Sequence, residues 1–318
     1  MFTNSDSLSF KEGFVNNKNI SICYRDYGDQ GDEPILLVQG LGGQLINWPH
    51  HLIEFLINNK FRPIVYDNRD TGLSTKIKDI VPKKDLNNSI ILNYIKYYLR
   101  LSIPSVYTLD DMASDGIAVL DKLRITKSHI LGISMGGMIA QLITANQQDR
   151  FSSFTLIAST AMTPSPFNGP THKVRNLLME RSKNPSVSLD QRIKRTKKIF
   201  ALIGHKESNL NTKEFSNNIV KSIERGGKDD TGFTRQLTAI LSSKNRIKKV
   251  SAITVPTLII HGKEDPLIKV SNAFKTQKLI RNSKLKIIND MRHLIEPQVF
   301  NQFKNNLLSH LRNNNVKP

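Results

Sequence analysis

Residues Ile130-Leu-Gly-Ile-Ser134-Met-Gly-Gly137 decide how this chain is read. An aliphatic run from Ser128 to Ile133 enters a Gly-x-Ser-x-Gly sequence, Gly132 to Gly136, and a helical stretch, Met138 to Gln148, leaves it. A strand that turns sharply into a helix lifts Ser134 out of the sheet, and glycine on either side accepts crowding that a Cβ would worsen. A serine hydroxyl is a poor nucleophile by itself. The elbow therefore has chemical meaning only if a base, an acid and two backbone N–H donors converge on it.

The remaining parts follow in a telling order. Val255-Pro-Thr-Leu-Ile-Ile-His-Gly-Lys-Glu-Asp265-Pro reads as a buried strand ending in a turn that carries an acid, and Asn289-Asp-Met-Arg-His293 follows the next strand, Lys284 to Ile288. Serine, acid, histidine is a chain order distinct from those of the chymotrypsin and subtilisin types. On these residues the chain resembles the α/β-hydrolase superfamily over nearly its whole length. The string Tyr66-Asp-Asn-Arg-Asp-Thr-Gly-Leu-Ser74, with Gln39-Gly-Leu-Gly-Gly43 before it and Tyr107-Thr-Leu-Asp-Asp-Met-Ala113 after it, is most similar to the bacterial branch that includes aclacinomycin methylesterase.

The resemblance implies a mostly parallel, doubly wound, eight-stranded sheet with an inserted helical lid. It also implies a serine hydrolase acting on a carboxylic ester, without cofactor or metal. Ser134 would be the nucleophile, His293 the base and Asp265 the acid that orients it; backbone N–H groups of Leu41 and Met135 would form the oxyanion hole. Gly40, Gly42 and Trp48 are the candidate substrate contacts, although Trp48 reads equally as an anchor for its own helix. Many relatives have His-Gly where this chain has Gln39-Gly40, which leaves a backbone donor intact and bears only on its support.

Other candidates weigh less. His50, His51 and His129 precede the acid, His172 and His205 lie in the insertion, His261 is inside a strand, and His310 is near the end of the last helix. An acid directly after the strand that follows the elbow is a common alternative, but that place reads Ala158-Ser159-Thr160. Glu264 and Asp290 are the remaining acidic neighbours. Asp67-Asn-Arg69-Asp70-Thr-Gly72 reads as structural, a loop that cross-braces the oxyanion turn. Haloalkane dehalogenases and epoxide hydrolases place Asp at the elbow, so Ser134 argues against both. The same triad also serves carbon–carbon bond hydrolysis, thioester hydrolysis and cofactor-free perhydrolysis, and a non-catalytic small-ligand receptor could retain it. No metal-ligand spacing or Walker motif is present, and the glycine turn fails the dinucleotide fingerprint because position 45 is Leu.

Composition limits the classes further. No apolar run approaches the roughly 18 residues of a membrane span, and Met1-Phe-Thr-Asn-Ser-Asp-Ser lacks a signal-peptide pattern. A single cysteine, Cys23, provides no internal disulfide and fits a cytoplasmic location. The formal charge of +19 is concentrated between Thr171 and Val250, where nineteen Lys and Arg face seven Asp and Glu. With no RNA-recognition or zinc-finger pattern beside it, this reads as a solvated basic surface rather than a nucleic-acid face.

Along the chain, residues 1–159 and 252–312 are expected to form the core, 160–251 the lid, and 313–318 a disordered tail. The partner implied is a small, apolar ester; oligomeric state is open. Phe167, Leu177, Leu178, Met179, Phe200, Leu202 and Ile203 are candidates for a pocket wall or for the lid's own core. A second insertion contains Ile90-Ile-Leu-Asn-Tyr-Ile-Lys-Tyr-Tyr-Leu-Arg-Leu101, apolar all round the helix. It either packs at the mouth of the active site or makes weak contact with a lipid surface.

Overall fold

The computed structural model describes residues 8–80, 89–99, 101–163, 169–185, 187–227, 229–243 and 246–316. Phe167, Arg100 and the last two residues of the expected tail lie outside them. Eight strands form one sheet: β1 (Phe10–Asn17), β2 (Ile20–Tyr27), β3 (Glu33–Val38), β4 (Phe61–Tyr66), β5 (Ser128–Ile133), β6 (Phe151–Ile157), β7 (Thr257–Gly262) and β8 (Ser283–Ile288). Their spatial order is β1-β2-β4-β3-β5-β6-β7-β8. The pairs β1–β2 and β2–β4 are antiparallel, and the pairs from β4 through β8 are parallel. Strands β4, β5 and β7 are buried at every position, as continuous apolar runs covered on both faces require.

Helices α1 (His50–Asn58), α2 (Ile90–Tyr98), α3 (Leu109–Lys122) and α4 (Met135–Asn146) precede β6. Local chemistry sets α3: Thr108 Oγ1 accepts from Asp111 N, and Asp111 Oδ2 accepts from Thr108 N, a capping box that satisfies two otherwise orphaned donors. Between β6 and β7 lie α5 (His172–Lys183), α6 (Leu189–Ile203), α7 (Lys213–Gly226), α8 (Thr231–Ser242) and α9 (Arg246–Ser251). This stretch is helical and lacks a strand among its described residues, but its two ends belong to the core. Thr160 and Ala161 hydrogen-bond α10 (Ser271–Leu279) through Asn272 and Thr276, and fully buried Arg246 reaches Gln141 and the carbonyls of Thr160 and Met162.

Two helices close the chain: α11 (Pro297–Phe300) and α12 (Lys304–Arg312). Phe300 and Phe303, edge to face at 5.4 Å, pack inward from the turn between them. The chain beyond α12 is placed as far as Val316, whose N–H donates to Glu33. Cys23 is buried, and burial pushes its thiol up to about 12, which keeps it protonated and unreactive. Among the described residues no helix is long and apolar enough to cross a membrane.

The sheet order places β3 between β4 and β5, so the connections leaving β3 and β5 diverge to opposite sides. Such a switch point opens a crevice at the carboxyl ends of the strands. The turn after β3 carries Gln39 to Gly43 there, and β5 delivers Ser134 beside it.

Candidate active site

Ser134 occupies φ 55° and ψ −123°, a region that side-chain-bearing residues rarely adopt. Its neighbours hold it there. Ser134 N donates to Ile157 O, and Ser134 O accepts from Ser159 Oγ at 2.7 Å and from the N–H groups of Gly137 and Met138. A Cβ on Gly136 would collide with the Val38 carbonyl, and one on Gly132 would lie 2.5 Å from Gly136 O. The elbow glycines are therefore imposed by the packing of α4 across β3 and β5.

His293 lies in the loop after β8. Its Nδ1–H donates to Asp265 Oδ2 at 2.7 Å, which leaves Nε2 as the ring's acceptor. Asp265 Oδ1 accepts from Leu267 N and Ile268 N at 2.8 and 2.9 Å, so both carboxylate oxygens are engaged and the acid is fixed in its turn. Ser134 and His293 line one cavity of about 260 Å³, with Gly40, Leu41 and Met135.

The turn after β3 has a specific pattern of satisfied donors. Gly40 N donates to Gln39 Oε1, Gly42 N to Gln236 Oε1, Gly43 N to Gly40 O, Gln44 N to Asn47 Oδ1 and Leu45 N to Asp67 Oδ1. The N–H groups of Leu41 and Met135 have no partner among the described residues. Buried N–H groups are almost always paired, and these two border the cavity that holds Ser134. Gln39 supports the turn by accepting from Gly40.

Two expected substrate contacts are placed elsewhere. Trp48 is buried in the apolar core with Leu52, Phe61 and Phe300 rather than on the cavity, because the chain from Leu45 to Asn47 turns inward before α1. Gly42 has φ 69° and sits on the far side of its turn, facing a second cavity of about 240 Å³, with its N–H held by Gln236 of α8. Gly40 does face the serine: a Cβ there would lie 3.2 Å from Ser134 Cβ.

The cavity lined by Ser134 and His293 is mainly apolar. Met138, Met162, Val174, Leu178, Met179, Phe200, Ile203, Leu237, Ile240 and Leu241 contribute to its walls. Of the apolar candidates in the insertion, Leu178, Met179, Phe200 and Ile203 reach the cavity, whereas Leu177 and Leu202 are not among its walls.

Several contacts escape sequence reading because they join distant segments. Arg225 donates to Asp67 at 2.7 Å, and Arg235 holds Asp70 through two bonds at 2.7 and 2.8 Å. Arg69 of the same loop pairs with Asp115 of α3. Arg292, next to His293, donates to the carbonyls of Ala201, Leu202 and Gly204 at the end of α6, where a helix leaves its last acceptors unsatisfied. His261 Nε2–H donates to Ile268 O at 2.7 Å and lies 3.5 Å from Asp265 Oδ2; burial lowers its pKa and keeps the ring neutral.

A family model described as alpha/beta hydrolase fold matches residues 33–296. The chain belongs to that family. The hydrolase is 22% identical over 313 residues to rhodomycin D methylesterase of Streptomyces peucetius, covering 94% of this chain and 97% of the relative. It is 24% identical over 299 residues to 2-hydroxy-6-oxononadienedioate/2-hydroxy-6-oxononatrienedioate hydrolase 1 of Pseudomonas putida, covering 92% and 93%. Its fold is similar to that of a meta-cleavage product hydrolase from Pseudomonas fluorescens IP01, with a TM-score of 0.71, 19% identity, and 95% and 98% of the two chains covered.

Proposed function

We propose that this hydrolase cleaves a carboxylic ester with an apolar body through an acyl-enzyme intermediate. The observation that carries this reading is the meeting of Ser134 and His293 in one apolar cavity, with Asp265 holding the imidazole from behind. His293 Nε2 accepts the Ser134 proton as Oγ bonds to the ester carbonyl carbon, and Asp265 stabilises the imidazolium. The carbonyl oxygen becomes an oxyanion that receives the N–H groups of Leu41 and Met135, each such donor contributing about 2.7–4 kcal/mol in the transition state. The alcohol departs with the proton from His293. Water then repeats the sequence on the acyl-enzyme and releases the acid.

The insertion acts as a lid that selects the ester without taking part in bond cleavage. Its helices supply much of the apolar wall, while Leu41, Ser134, Asp265 and His293 stand on core loops and Met135 opens the core helix α4. Methylesterase chemistry agrees with the rhodomycin D methylesterase relative. Carbon–carbon bond hydrolysis is the second reading, favoured by the dienedioate hydrolase relative. A dioate substrate calls for cationic contacts; of the two arginines that line this cavity, Arg181 is already committed to Asp230 by two bonds at 2.6 and 2.8 Å, and Arg175 reaches Tyr98 OH at 3.4 Å. Steady-state kinetics on an aryl and methyl ester series, beside a vinylogous diketone, tests the choice. Turnover of the diketone with no turnover of any ester would refute the ester reading.

A further inference from the structure

Helix α2 is apolar on two faces. Inward, Ile90 packs with Ile103 and Leu241, and Tyr94 and Tyr97 close against Met179 and Leu237. Outward, Ile91, Leu92, Ile95 and Leu99 are 48, 50, 50 and 63% exposed. Spaced at i, i+1, i+4 and i+8, these four form one stripe on the helix and the turn after it. Of the other large exposed apolar residues among the described ones, Tyr98 and Leu101 adjoin the stripe in sequence and the rest are spread along the chain. Water is a poor solvent for such a stripe, and contiguous apolar surface of this kind marks a contact.

Among the described residues, the charged side chains on α2 and in contact with it are basic. Lys96 belongs to α2 itself, Arg175 of α5 reaches Tyr98 OH at 3.4 Å and is the charged group acting on Tyr94, and the sequence from Ser89 to Thr108 contains no Asp or Glu. A second copy of the same face would set the basic patch of Lys96 and Arg175 against the same basic patch, because a two-fold interface uses one surface twice. An anionic lipid surface satisfies both features. Stable seating of a short helix requires apolar insertion and electrostatic attraction together.

We propose that α2 seats the protein on an anionic bilayer, with Ile91, Leu92, Ile95 and Leu99 entering the boundary between headgroups and acyl chains and with Lys96 and Arg175 resting on lipid phosphates. Tyr98 is 49% exposed and also lines the cavity of Ser134, so the cavity opens beside the stripe. A lipophilic ligand dissolved in the bilayer thus has a short apolar path along the Tyr94, Tyr97 and Tyr98 rings. The seating itself does not depend on which bond the enzyme cleaves.

Flotation of the full-length protein with vesicles of phosphatidylglycerol and phosphatidylcholine in equal parts, against pure phosphatidylcholine vesicles, tests this. The wild type should float with the anionic vesicles, and recovery should fall about tenfold or more on neutral vesicles or in high salt. The Leu92→Glu/Ile95→Glu double variant, with its circular dichroism and melting temperature unchanged, should lose flotation to a similar extent. Should that variant misfold, a dye attached at Leu92→Cys replaces it, and its emission should shift to the blue on anionic vesicles only. Wild-type protein that ignores anionic vesicles, or a folded double variant that floats as before, would overturn the proposal. So would a dimer in sedimentation that the double variant returns to monomer, which would assign the stripe to a second copy of the chain.

Discussion

Arg225 Nη1 lies 2.7 Å from Asp67 Oδ2, while the other oxygen of that carboxylate accepts Leu45 N at 2.7 Å. One fully buried carboxylate thereby ties α7 of the insertion to the loop that carries Leu41. Burial pushes the Asp67 carboxyl upward, and Arg225 and the N–H groups of Leu45 and Leu73 oppose that shift. The insertion is thus fixed to the loop that carries Leu41 by a charge pair that cannot be removed singly without cost.

Arg225→Ala should leave Asp67 buried without its cation and destabilise the fold by about 3–5 kcal/mol. Urea denaturation reads this directly. Adding Asp67→Asn to Arg225→Ala should recover part of the loss, because the buried charge is then gone. A single variant as stable as wild type would show that the pair contributes little.

Legibility of these features in the sequence follows their range. Strand β5 is observed over the expected span, Ser128–Ile133, because Ile130, Leu131 and Ile133 leading into a Gly-x-Ser-x-Gly turn have few other ways to be buried. Asp67 and Asp70 are recognisable as bracing residues from their loop, but Arg225 and Arg235 are not: they are two among many basic residues on polar helices. Trp48, readable as a substrate contact or as an anchor, and Gly42, read as a substrate contact, are placed by a different factor. Trp48 follows the turn after β3 and Gly42 lies within it, and only the local chain direction puts one in the core and the other on the far side of the turn. The split between α11 and α12 depends on how Phe300 and Phe303 pack, which periodicity does not encode.

His261 should prove a positioning residue. Its Nε2–H fixes the Ile268 carbonyl and so the turn in which Asp265 receives Leu267 and Ile268. His261→Phe removes a buried hydrogen bond of roughly 1 kcal/mol, and kcat should fall by about tenfold with KM little changed. His261→Gln, which keeps a donor, should recover part of that loss. An equal rise in KM with constant kcat would place the effect on binding instead.

Cavity shape should set ester preference. Leu237 and Leu241 border the cavity, and removing methylenes there should change discrimination between acyl chains by about 1–3 kcal/mol per methylene. Leu237→Ala should shift the kcat/KM optimum toward bulkier acyl groups. An unchanged ranking over a homologous ester series would argue that selection occurs elsewhere.

Stability should decline in mild acid through His310. This ring donates from Nε2 to Phe154 O, and burial lowers its pKa to about 4, against ~6.5 for an exposed imidazole. As pH falls the unfolded chain takes the proton first. The stabilisation is complete above about 6.5 and is lost progressively down to about 4, on the order of 3 kcal/mol in all. His51, also lowered to about 4 by burial, acts in the same window. His310→Gln should flatten part of the slope of unfolding free energy between neutral pH and the acid end, measured by urea titration.

The nucleophile is the centre of the account. Ser134→Ala should keep the fold and lower ester turnover by on the order of 10⁶. The most direct measurement is intact and peptide mass spectrometry after reaction with a fluorophosphonate, which phosphonylates an activated serine. One adduct on the peptide containing Ser134, absent from Ser134→Ala and from His293→Ala, is the expected result. A folded wild-type protein that gains no adduct, or one labelled equally in the Ser134→Ala variant, would contradict the assignment.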